Sequence, residues 1–112
     1  MREKKHFLFV CSRNRLRSPT AERLFSSYPD IEVASAGTAP DAEEPLSRDL
    51  LTWADLVFVM EKSQQRKLTR QFGSMLKNKR VICLDISDQY AYMDPALVRL
   101  LQRKVSPFLA KR

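Results

Sequence analysis

Apolar residues occur along this chain as short continuous runs that alternate with stripes at helical spacing. His6–Val10 is a β-prone run that stops at Cys11. Ala21, Leu24, Phe25 and Tyr28 then recur at the spacing of one helix face, and Pro29 closes that helix. Ser18 is placed to cap its start, with Pro19 in the first helical position, where a missing N–H would be unpaired anyway. Ile31–Ala34 predicts a second strand, followed by Ser35-Ala36-Gly37-Thr38 and an acidic, Pro-punctuated loop from Ala39 to Pro45. A short helix is expected over Leu46–Ala54, and Leu56–Met60 has the uninterrupted apolar character of a strand covered on both faces. A basic helix runs to Phe72 with Gly73 as its stop. Val81–Leu84 is the fourth strand, and Asp94-Pro95 opens a last helix striped by Leu97, Val98, Leu101 and Val105.

The resulting β-α-β-α-β-α-β-α order predicts an α/β fold. A four-stranded parallel sheet would carry helices on both faces, joined by right-handed crossovers. Ligands of such sheets bind beyond the carboxyl ends of strands, so the loop after the first strand is the first place to look.

Composition narrows the picture. A chain of 112 residues suits one domain, 1–112, and 44% apolar content can supply a core without a metal or disulfide. From the charged start Met1–Lys5 no cleavable leader is expected, and no stretch of the sequence reaches membrane-spanning length. Cys11 and Cys83 are the only cysteines, which points to a reducing cytoplasm and free thiols. With His6 as the single histidine there is no conventional zinc set, and no cofactor is expected. The formal charge of +7 resides in Lys62–Arg80, which holds seven basic residues and no acidic one; the remaining 13 basic and 13 acidic residues cancel. That face reads first as a solvated surface, with docking of a polyanion as the alternative.

Candidate chemistry lies at Val10-Cys11-Ser12-Arg13-Asn14-Arg15-Leu16-Arg17-Ser18-Pro19. A cysteine between a strand end and a helix start sits where backbone N–H groups can curl around an anion, and that field favours a thiolate. Arg17 can grip two phosphate oxygens with its planar fork, and Ser18 can donate to the sulfur as it leaves. The alternative for Cys11 is a small buried apolar residue at a strand end.

The run Cys11-x5-Arg17-Ser18-Pro19-x-Ala21-Glu22 resembles the phosphate-binding loop of the low-molecular-weight protein tyrosine phosphatases. Ser35-Ala36-Gly37-Thr38 and Ala54-Asp55-Leu56-Val57, leading to Met60-Glu61, extend the resemblance in the family's order. It implies that Cys11 is a nucleophile forming a phosphocysteine and Arg17 the oxyanion clamp. Ser12, Arg13, Asn14, Arg15, Leu16 and Ser18 would line the phosphate site, and Asn14 would brace the loop by bonding toward Ser35. It also implies a phosphorylated protein or small aryl phosphate as substrate, with phosphate, sulfate or vanadate as loop ligands. Arg13 stands where the family often has glycine, and the chain is shorter than the usual member, the shortening falling between Thr38 and Leu56. The general acid of the family lies in an Asp-Pro-Tyr segment. Asp88-Gln89-Tyr90 keeps the aspartate and tyrosine in a loop, whereas Asp94-Pro95 is explained by helix capping, so Asp88 is preferred and Asp94 is the alternative. Tyr90 or Tyr92 would stack on an aryl group or pack on the surface.

Two rival functions follow from the same residues. A thiol-dependent arsenate reductase would need a cysteine relay, and Cys83 reads as a buried strand residue without a partner. A quiet binding module for phosphoprotein or nucleic acid is physically possible given the charge, but no aromatic-interleaved basic pattern for RNA is present. A membrane partner is not expected.

Overall fold

Strand β1 (Lys5–Cys11) is the axis of the molecule, an inner strand buried from Phe7 to Cys11. The computed structural model describes residues 4–109, so Met1–Glu3 of the charged start lie outside the described residues. After β1 come α1 (Arg17–Phe25), β2 (Ile31–Gly37), α2 (Arg48–Trp53), β3 (Leu56–Val59), α3 (Lys62–Phe72), β4 (Arg80–Cys83) and α4 (Pro95–Val105). The strands form one sheet in the order β2-β1-β3-β4, and every pair is parallel. Val10 stands beside Ala36 on one side and Val59 on the other, and Val59 beside Cys83.

The period of two along β1 sorts its side chains between two cores. Phe7, Phe9 and Cys11 face a layer made with Ala21 and Phe25 of α1 and Leu97, Leu101 and Val105 of α4. Leu8 and Val10 face the opposite layer, with Leu51 of α2 and Leu68 of α3. The first layer is aromatic at its centre: Phe9 stacks on Phe58 at 5.0 Å and on Phe25 at 5.6 Å between ring centroids. Such rings each bury a large apolar area and add directional ring–ring attraction. The α/β architecture, the parallel sheet and the helices on both faces match the sequence expectation.

Several boundaries differ, each for a physical reason. Helix α1 begins at Arg17 with Leu16 as its N-cap, so Ser18 and Pro19 lie in the first turn and Ser18 is not the cap. Proline is accepted there because the first four N–H groups of a helix have no intrahelical partner. Strand β2 runs on through Ser35, Ala36 and Gly37, since Cys11 of β1 continues the ladder opposite Gly37. Gly73 caps α3 in a right-handed conformation (φ −52°), and the chain tightens into a 3-10 turn over Gly73–Leu76 rather than reversing through a left-handed glycine. Cys83 is half-buried, not fully buried. At α4 the reading holds: Asp94 is the N-cap, its carboxylate accepts from Ala96 N–H at 2.9 Å, and Pro95 opens the helix. Among the described residues no helix is long and apolar enough to cross a membrane.

Candidate active site

The chain leaves β1 at Cys11 next to the point where the sheet order turns, with β2 to one side and β3 to the other. In doubly wound sheets this is where a crevice opens for a ligand. The loop 12–16 is shaped from outside by the segment that follows β2. Thr38 N–H donates to the Cys11 carbonyl at 2.9 Å, Ala39 N–H to Ser12 at 2.8 Å and Glu43 N–H to Arg13 at 3.2 Å. With these carbonyls turned outward, the N–H groups of Ser12, Arg13, Arg15 and Leu16 make no hydrogen bond to a described residue. Asn14 takes a left-handed conformation (φ 57°), which asparagine tolerates better than most residues, and its N–H donates to Cys11 Sγ at 3.2 Å. Gly37 is required by closeness: a Cβ there would lie 2.5 Å from Ala42 Cβ and 2.6 Å from the Ser12 carbonyl oxygen.

Arg17 enters the crevice from the first turn of α1, its side chain only 4% exposed. Its Nη1 donates to the Ile86 carbonyl at 2.8 Å and lies 3.5 Å from Glu61 Oε1, while Nε lies 3.7 Å from Asp88 Oδ1. A buried guanidinium is thus balanced by carboxylates from two other loops, as burial of a charge demands. The loop carrying Asp88 is held at both ends. Before it, Asp85 turns the chain in a left-handed conformation (φ 57°), so that Ile86 N–H reaches the Met60 carbonyl at 2.8 Å. Beyond it, Met93 N–H donates to Thr20 Oγ1 at 2.9 Å, and that hydroxyl in turn donates to the Leu16 carbonyl at 2.6 Å.

Cys11, Ser12, Arg13, Arg15, Leu16, Arg17 and Asp88 line one pocket of about 160 Å³. That is below the roughly 300–1,000 Å³ of sites for drug-sized ligands and suits a small anion with the first atoms of its substituent. Asp88 is well exposed at the mouth, and Asp94 lies outside the pocket, occupied by its cap. Arg13 turns outward to pair with Asp41 at 2.9 Å, tying loop 12–16 to the acidic loop, whereas Arg15 and Leu16 remain exposed at the rim.

Solved structures place this arrangement among known folds. Wzb from Vibrio vulnificus in complex with benzylphosphonate is 24% identical, with a TM-score of 0.75 over 95% of this chain and 97% of that one. SP-PTP, a low molecular weight protein tyrosine phosphatase from Streptococcus pyogenes, aligns at a TM-score of 0.78 and 14% identity over 96% and 95% of the two chains. The YwlE arginine phosphatase from Geobacillus stearothermophilus aligns at 0.75 and 21% identity over 93% and 92%. The chain has the low-molecular-weight tyrosine phosphatase fold. No protein-family model matches the sequence, and no curated protein matches it.

Within this phosphatase fold some expected contacts are replaced. Ser35 Oγ donates to the Glu22 carboxylate of α1 rather than engaging Asn14, because Glu22 projects from the helix packed over β2. Asn14 Oδ1 and Ser18 Oγ are buried without a hydrogen bond to a described residue, so Ser18 does not contact the sulfur by that bond here. Tyr90 packs against the α1–α4 core and Tyr92 is exposed; neither lines the Cys11 pocket. Two contributors were not anticipated. Buried Gln64 accepts from Met60 and Glu61 N–H groups through Oε1, both at 3.0 Å, and donates from Nε2 to Ser12 Oγ at 3.1 Å. Glu61 faces Arg17. The Glu61-x-x-Gln64 spacing at the start of a helix resembles a capping box, which was the available signal for the first of these. Cys83 belongs to the α2–α3 layer and Cys11 to the other. Two strand spacings separate Cys83 from Val10, roughly 10 Å, too far for a direct disulfide.

Proposed function

We propose that the protein is a cysteine-dependent phosphomonoester hydrolase acting on aryl phosphates, foremost protein phosphotyrosine. The observation that carries this reading is the convergence of Cys11, Arg17 and Asp88 on one pocket, with Asp94 committed elsewhere. The unpaired N–H groups of Ser12, Arg13, Arg15 and Leu16 bind the phosphoryl oxygens, a role in which charge-assisted bonds to an anion are strong. The Cys11 thiolate attacks phosphorus as the ester P–O bond breaks, and Asp88 gives its proton to the leaving oxygen. Arg17, swung from its carboxylate partners, spans two equatorial oxygens as charge spreads over them. Asp88, now ionised, takes a proton from water that attacks phosphorus and breaks the P–S bond, restoring thiolate and acid.

Substrate class follows from the rim. Leu16 offers an apolar wall to an aryl ring, and Arg15 opposes the cationic guanidinium of phosphoarginine. Sulfate or vanadate would occupy the same loop as phosphate. Two free thiols suit a reducing compartment, which supports a cytoplasmic location.

The test is hydrolysis of phosphotyrosine, phosphoserine and phosphoarginine peptides in the presence of a chelator, for wild type and Cys11→Ser. Metal-independent hydrolysis, fastest on phosphotyrosine and abolished in Cys11→Ser, is expected. Activity surviving in Cys11→Ser, or needing a divalent ion, contradicts the mechanism. Faster turnover of phosphoserine or phosphoarginine contradicts the substrate class.

A further inference from the structure

We infer that one ridge of α3 is a docking surface for acidic residues flanking the phosphorylated residue, so that the preferred substrate is an acidic phosphotyrosine segment. The inference rests on the phosphatase reading and specifies its substrate. Of the seven basic residues of Lys62–Arg80, Lys67 and Lys77 are exposed away from the ridge, and the other five divide by what they touch. Lys79 Nζ donates to the carbonyls of Thr52 and Ala54, and the Arg80 guanidinium lies 5.3 Å over the Phe108 ring; both are structural. Lys62, Arg66 and Arg70 are exposed and make no ion pair or hydrogen bond to a described residue. They stand at i, i+4 and i+8, one above another, where like charges repel and weaken the helix. A helix needing only solubility would gain from alternating signs along that face. Here the repulsion is kept, and an anionic partner would relieve it.

Position gives the ridge its partner. With Gln65 and Thr69, these three residues form one open face of α3, which serves as a shallow groove. The ridge begins near the Cys11 pocket, since Glu61, the residue before Lys62, lies 3.5 Å from Arg17 Nη1. Eight helical steps from Lys62 to Arg70 cover ~12 Å, matched by about four residues of extended peptide. A chain whose phosphotyrosine enters the Cys11 pocket can therefore lay its next residues along the groove. Nucleic acid fits less well, because no aromatic side chain lines the groove to stack on a base.

The test compares three phosphotyrosine peptides, with acidic residues before, acidic residues after, or basic residues on both sides, alongside para-nitrophenyl phosphate. Wild type should favour one acidic peptide over the basic one by about tenfold or more in kcat/KM, with the preference fading at high salt. The variant Lys62→Gln/Arg66→Gln/Arg70→Gln should lose that preference and hydrolyse para-nitrophenyl phosphate at the wild-type rate. No hydrolysis of para-nitrophenyl phosphate by wild type would refute the phosphatase reading itself. Normal hydrolysis with no peptide preference, or a preference intact in the triple variant, overturns the docking surface alone. A single-stranded oligonucleotide bound by wild type but not by the triple variant, without peptide preference, assigns the ridge to nucleic acid instead.

Discussion

A guanidinium and an ammonium carry the same charge but present it differently. Arg17 already uses one nitrogen on the Ile86 carbonyl and faces two carboxylates with the plane of its fork. A lysine there would be a point charge able to satisfy only part of that set. Arg17→Lys should therefore lower kcat/KM on an aryl phosphate by roughly a hundredfold or more, measured by steady-state kinetics; a change under about tenfold would show that the fork is not the clamp. The two aspartates separate by the same logic. Asp88 is 65% exposed and 3.7 Å from Arg17, so it does little for stability, and in the proposed mechanism it is the residue that meets the leaving oxygen. Asp88→Asn should lower kcat/KM for esters with poor leaving groups while sparing kcat/KM for activated ones, because only the former need the proton as the phosphocysteine forms. Asp94→Asn should remain active and stable, whereas Asp94→Ala should lose about 1 kcal/mol with its cap. A leaving-group series beside melting curves checks all three, and inactivity of Asp94→Asn on unactivated esters would reverse the assignment.

At the scale of elements, loop 12–16 has little structure of its own and is moulded by the turn after β2. Gly37 is where the two backbones meet, with no room for a Cβ between Ala42 and the Ser12 carbonyl. Gly37→Ala should cost ~1–3 kcal/mol by overpacking and displace the loop, giving reduced phosphate affinity with a lowered melting temperature. Unchanged phosphate binding would show that the loop holds its shape unaided. The strands and the cysteine loop were legible because their signals are carried by side chains: the apolar runs of β1 and β3, and the Cys11 to Arg17 spacing with Ser-Pro behind it. The supports of the site were less so. Arg17 is held by a backbone carbonyl at Ile86, and a carbonyl leaves no mark on residue identity. The left-handed turn at Asp85 and the Ser35–Glu22 bond depend on how β4 and α1 settle on the sheet. The start of α1 at Arg17 differs from the sequence expectation because Ser18 and Pro19 are as acceptable within a first turn as at its start.

Across the whole molecule, the sheet separates chemistry from bulk. Phe7, Phe9 and Phe58 fill the layer beneath the crevice and anchor the strand whose end carries the thiol. The acidic loop packs on one side of the Cys11 loop, through Arg13 and Asp41, and the basic helix on the other, through Ser12 and Gln64. Such a layout gives the crevice a charged approach without placing unpaired charge in the core. In the proposed mechanism Cys11 becomes covalently phosphorylated. The direct measurement is acid quenching of Asp88→Asn during turnover of an activated aryl phosphate, followed by mass analysis of its peptides. Without Asp88 to activate water, the intermediate should accumulate, and a phosphoryl group should be found on the peptide containing Cys11, at that residue. Turnover with no covalent species, or a phosphoryl group on another side chain, would contradict the account.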